Sequence, residues 1–119
     1  MTVKNFQEKL NLSVINLANP NLEITDGYCC DLLSNAMVKV VEGCCWFTVI
    51  DNLNVIAIAV QTKCACVVLC EDAKLDENAK NKAKEYGVNI LSTKDNAYSM
   101  AVKSGVLLIN DKKIDKKKY

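Results

Sequence analysis

From Leu22 onward, short runs of β-branched and aromatic residues alternate with stretches of helical period, and this restricts the fold more than any other feature of the chain. A parallel strand pair needs a crossover of about a dozen residues between its members, usually a helix. The alternation therefore predicts an α/β fold: a single domain with a largely parallel sheet flanked by helices.

Before the alternation begins, residues 3–11 suit a short amphipathic helix with Val3, Phe6 and Leu10 on one side. Residues 13–18 read as a strand, Asn19-Pro20-Asn21 as a turn, and residues 22–25 as a brief extended piece ending at Asp26-Gly27. Asp31 is placed to cap a helix whose stripe is Leu33, Met37, Val40 and Val41, with Gly43 as its left-handed stop. Residues 45–50 form a strand, with Trp46 in the core. Residues 52–61 are apolar almost throughout and read as a buried helix, capped by Asp51 or Asn52. Residues 65–70 give the next strand. Residues 76–86 carry the clearest helical pattern, with Leu75, Ala79, Ala83 and Tyr86 inward and Gly87 at the stop. Residues 88–91 follow as a strand, and Ser92 or Thr93 is placed to cap a helix bearing Tyr98, Ala101 and Val102. The domain spans residues 1–110; residues 111–119 form a charged tail expected to fray.

Composition matters chiefly for what it excludes. The chain has no His and no Arg, so Ser-His and Cys-His nucleophiles, His metal sites and the guanidinium fork are all ruled out. Its 15 basic and 14 acidic residues leave no field to recruit nucleic acid or an anionic membrane. No run approaches the roughly 18 apolar residues of a membrane span and the first residues lack a signal-peptide core, so the expected location is cytoplasmic. There thiols stay reduced, and seven Cys, an odd number with neighbours at Cys29-Cys30 and Cys44-Cys45, do not make a disulfide framework. Cys64, Cys66 and Cys70 fall on one face if their segment is a strand. No Cys-x-x-Cys occurs, however, so core filling is the better reading.

Ligands of open α/β sheets gather at the carboxyl ends of the strands. On this assignment those ends supply Asp26, Gly27 and Tyr28, then Asp51, Asn52 and Asn54, then Glu71 and Asp72, then Ser92, Thr93, Lys94 and Asp95. The edge is acidic. Capping accounts for Asp31, Asp51, Asp72, Ser92 and Asp95 more readily than ligand binding does at each position taken singly, and no phosphate-binding glycine series occurs.

Gly27-Tyr28-Cys29-Cys30-Asp31-Leu32-Leu33-Ser34, followed by Ala36-Met37, resembles the Gly-Tyr-Val-Gly-Asp-Leu-Leu-Ser segment of small stand-alone DRTGG-domain proteins. The resemblance continues through residues 53–59, 65–69 and 83–92, and so covers nearly the whole chain. It implies a domain like the amino-terminal domain of HPr kinase/phosphorylase, with relatives in phosphotransacetylases and in pyrophosphatases regulated by adenine nucleotides. It further implies a non-catalytic regulatory module, homodimeric, sensing an adenine-nucleotide-like ligand and using no cofactor and no metal. The residues carried over are Thr25, Gly27, Tyr28, Asp31 and Ser34, joined by Asn52, Asn54, Ser92 and Thr93 from neighbouring strand ends. Where the family shows Asp-Arg-x-x-Thr-Gly-Gly, this chain reads Asn21-Leu22-Glu23-Ile24-Thr25-Asp26-Gly27, so the Arg is missing. Three alternatives remain open: a pure interaction and dimerisation domain, a redox or iron-sulfur protein of an anaerobe, and a carboxylate- and Mg²⁺-dependent enzyme.

Overall fold

The computed structural model describes residues 1–111 and Lys117, so nearly all of the expected tail lies outside the described residues. The elements follow as α1 (Val3–Lys9), β1 (Ser13–Asn16), β2 (Asp26–Cys29), α2 (Leu33–Lys39), β3 (Cys44–Thr48), α3 (Leu53–Thr62), β4 (Cys66–Leu69), α4 (Glu77–Tyr86), β5 (Ile90–Ser92) and α5 (Ala97–Asn110). They build one α/β domain around a five-stranded sheet of order β1-β5-β4-β3-β2. Strands β2 to β5 are parallel and β1 joins β5 antiparallel.

The parallel strands lie side by side in chain order, so each right-handed crossover puts its helix on the same face. Helices α2, α3 and α4 accordingly share one core with Cys44, Trp46, Val67, Leu69 and Ile90. The alternate side chains, Cys45, Phe47, Cys66, Val68, Cys70 and Leu91, turn to the other face, where α1 and α5 cover them with Phe6, Met100 and Leu108. All five strand residues of β3 are buried, as expected of a strand covered on both faces.

Local chemistry explains most element ends. Asn52 Oδ1 accepts the Asn54 amide at the start of α3, and Asp76 Oδ1 accepts the Ala79 amide at the start of α4. Gly87 closes α4 at φ 69°. Lys63 closes α3 in the same left-handed region, at φ 57°.

Several expectations fail, each for a physical reason. Residues 26–29, not 22–25, form the strand: Asp26-Gly27 sits inside it because pairing with Cys44 and Cys45 overrides a turn dipeptide. Asp31 does not cap α2, whose cap is Leu32 without a side-chain bond; the Asp31 carboxylate is drawn across to β3 instead. Met37 and Val41 are exposed, and α2 turns inward through Ala36 and Val40. Gly43 is left-handed at φ 83° but lies beyond the cap at Val40, in the turn into β3. Tyr86 points outward, under Lys82 Nζ at 5.7 Å from its ring centroid. Helix α5 is capped by Asn96, four residues past Ser92; it bears Tyr98, Ala101 and Val102 on its exposed side and faces inward through Met100, Ser104 and Leu108. Cys64 precedes β4 and joins the α2–α4 core, while Cys66 and Cys70 lie on the other face.

Candidate functional site

The carboxyl ends of β2 to β5 carry four connections, and most of their polar groups hold one another. Asp31 Oδ1 accepts from Thr48 Oγ1 and from the Val49 amide, both at 2.8 Å, tying the β2–α2 connection to the end of β3. Trp46 Nε1 donates to the Cys30 carbonyl at 3.0 Å and fixes the preceding residue. Thr93 Oγ1 accepts the Asp95 amide, and the Glu71 and Asp72 amides donate to the Asp95 and Thr93 carbonyls. Those two bonds hold Glu71 and Asp72 left-handed, at φ 57° and 59°, a conformation that costs about 1 kcal/mol per non-glycine residue. Asp95 meets Lys103 at 2.6 Å and Asp72 meets Lys74 at 3.4 Å. Ser34 and Asn54 remain exposed in the first turns of α2 and α3.

The nine candidate residues thus do not converge. Asp31, Ser34, Asn52, Asn54, Ser92 and Thr93 lie along the carboxyl edge. Gly27 and Tyr28 lie within the edge strand β2: a Cβ on Gly27 would stand 3.3 Å from Cys45 Sγ, whereas the Tyr28 hydroxyl accepts from Asn35 Nδ2 at 2.8 Å. Thr25 and Asp26 are at the opposite, amino edge, because β2 starts at Asp26. There Thr25 packs on Gly43 and leaves no room for a side chain on that residue.

The crevice that seats dinucleotides in doubly wound sheets opens where neighbouring parallel strands send their helices to opposite faces. Helices α2, α3 and α4 share one face and α5, which follows β5, takes the other, so that reversal falls between β4 and β5. There the two connections are bridged by the bonds from the Glu71 and Asp72 amides to the Asp95 and Thr93 carbonyls.

Concave surfaces lie elsewhere. A cavity of about 550 Å³ opens at the amino edge among Thr25, Glu42, Gly43, Lys63, Tyr86 and Asn89. Asn89 is buried there with its amide donating to the Asn19 and Ala65 carbonyls and its oxygen accepting the Asn19 amide. A groove of about 480 Å³ runs between β2 and α5, lined by Gly27, Cys29, Phe47, Val102, Gly105 and Val106. A third, of about 390 Å³, separates α3 from α4 at Leu53, Val60 and Tyr86. The β2/α5 groove is the surface that sequence reasoning misses, since nothing in the local pattern brings Ala101 and Val102 of α5 beside Gly27 and Cys29 of β2.

Five thiols fill space. Cys45 and Cys66 are paired in register on β3 and β4, and burial holds both well above the ordinary thiol value of 9.0. Burial, with Cys64 beside it, pushes Cys44 up to about 12, and burial pushes Cys64 and Cys70 up to about 11. Thiols so placed stay protonated at neutral pH and behave as small hydrophobes. Among the described residues, no three His, Cys, Asp or Glu side chains are grouped to hold a metal ion, and no helix is long and apolar enough to cross a membrane.

The profile of the DRTGG domain matches residues 28–104, more than half of the 119-residue chain. The chain belongs to the DRTGG-domain family. The match starts at Tyr28, so Thr25 and Gly27 fall outside it. Among solved structures, this DRTGG domain is similar to the CBS and DRTGG domains of the regulatory region of Clostridium perfringens pyrophosphatase, complexed with the activator diadenosine tetraphosphate. The TM-score is 0.65 at 12% identity, over 82% of this chain and 43% of that one. The DRTGG domain described here therefore shares a fold with less than half of that regulatory region. No curated protein matches the chain.

Proposed function

We propose that this DRTGG domain is a non-catalytic regulatory module, acting as a homodimer and responding to an adenine nucleotide. The observation that carries the non-catalytic part is the employment of the carboxyl-edge polar groups. Asp31 anchors Thr48 and Val49, Asn52 caps α3, and Asp72 and Asp95 are ion-paired with lysines. A general acid or base must instead be aimed at a substrate proton. The nucleotide part is supported by the activator bound to the related regulatory region and by the helix arrangement, since the amino ends of α2, α3 and α4 all open toward the carboxyl edge, where a phosphate is favoured.

Calorimetry with AMP, ATP and diadenosine tetraphosphate tests it. Heat is expected with at least one, and Ser34→Glu, which adds negative charge at the opening of α2, should weaken that binding at least tenfold. No heat and no thermal shift with any of the three overturns the nucleotide part. A second reading, a pure interaction domain, is favoured by the apolar linings of the β2/α5 and α3/α4 grooves. In that case Tyr28→Ala changes the oligomeric mass and no nucleotide binds.

A further inference from the structure

Helix α5 is apolar almost all round, yet the sheet uses only one side of it. Met100, Ser104 and Leu108 are buried, while Tyr98, Val102 and Val106 stand outward, 81%, 51% and 56% exposed. Lys103, the helix's one charged residue, is drawn aside to Asp95. A Cβ on Gly105 would meet nothing within 4 Å, so the wall is open there. Next to this stripe lies β2, a sheet edge in regular register with β3 and, among the described residues, paired on that side only. At the other edge, β1 carries a register shift between Val14 and Asn16, a device that discourages strand addition.

We propose that this face seats a second copy of the chain, with the two α5 helices crossing antiparallel about a two-fold axis near Val102. The inference rests on the homodimeric reading above and assigns its surface. A two-fold interface requires a patch complementary to itself. The stripe meets that condition: Tyr98 and Val106 stand one turn to either side of Val102, about 6 Å along the helix. In an antiparallel crossing the Tyr98 ring of each copy lies over Val106 of the other, beside the gap at Gly105 and the groove of about 480 Å³. No charge lies on the stripe, so the axis brings no like charges together. Tyr98, Val102 and Val106 together expose on the order of 350 Å², the centre of an interface that the groove walls and rim extend toward the roughly 800 Å² per partner that stable dimers use.

Sedimentation equilibrium over a concentration series decides it, with wild type, Val102→Glu, Tyr98→Ala and, as a control on the α3–α4 groove, Val60→Glu. Wild type and Val60→Glu should be dimers, Val102→Glu a folded monomer by circular dichroism, and Tyr98→Ala a dimer weakened at least tenfold. A wild type that stays monomeric overturns the homodimer itself. A dimeric wild type whose affinity is unchanged in Tyr98→Ala, or whose folded Val102→Glu variant still pairs, overturns this surface alone. Should Val102→Glu fail to fold, the Tyr98→Ala result decides.

Discussion

Lys63 ends α3 with φ 57°, where a side chain is strained and glycine is not. Lys63→Gly should raise unfolding free energy by about 0.5–1 kcal/mol in a urea titration, and a lowered midpoint would show that the lysine stem does more than close the helix. Asp31 has the opposite sign. Its removal leaves the buried Thr48 hydroxyl and the Val49 amide without their acceptor, so Asp31→Ala should cost about 1–3 kcal/mol by the same measurement. The contrast between Asp31 and Asp76 also shows where sequence reading stops. Asp76 serves an amide three residues away, and such a cap is visible in any short window. The partners of Asp31 are 17 and 18 residues distant and meet it only once β2 and β3 are paired.

At the level of elements, β3 and β4 give the domain its pH response. A buried thiol raised above its unfolded value keeps a proton that the unfolded chain loses, so the unfolded state binds fewer protons once pH exceeds the ordinary 9.0. Stability should be flat below that and then fall by about 1.4 kcal/mol per pH unit for each fully buried thiol, a window running toward 11 and 12 for Cys64 and Cys44. Denaturant midpoints between neutral pH and pH about 10 in reducing buffer check this, and Cys45→Ala with Cys66→Ala should flatten the fall. Among the helices, α4 is legible because its lysines and glutamates mark one side as wet and leave Ala79 and Ala83 for the core. Helix α5 has a single charge and apolar residues on every side, so periodicity finds the helix but not its phase. The face proposed here as an interface was hidden by the same ambiguity.

For the whole molecule, the α/β class and the mostly parallel sheet follow from alternation alone, because crossover length and handedness leave few other ways to connect such segments. What alternation does not specify is strand order. It cannot tell that the helices after β2, β3 and β4 share one face while α5 takes the other, which puts the single reversal at the β4–β5 boundary, where the Glu71 and Asp72 amides bridge the two connections. If the domain works as a homodimer, its thermal midpoint should rise with protein concentration; a midpoint independent of concentration would argue for a monomeric unfolding unit. The antiparallel strand has one more consequence. Ser13 pairs with Ser92 and β1 has no other neighbour among the described residues, so on the ribosome this strand is made early and must wait until nearly the entire domain has been translated. Every parallel pair can close as soon as its own crossover helix has emerged, whereas β1 stays open to a nascent-chain chaperone for most of synthesis.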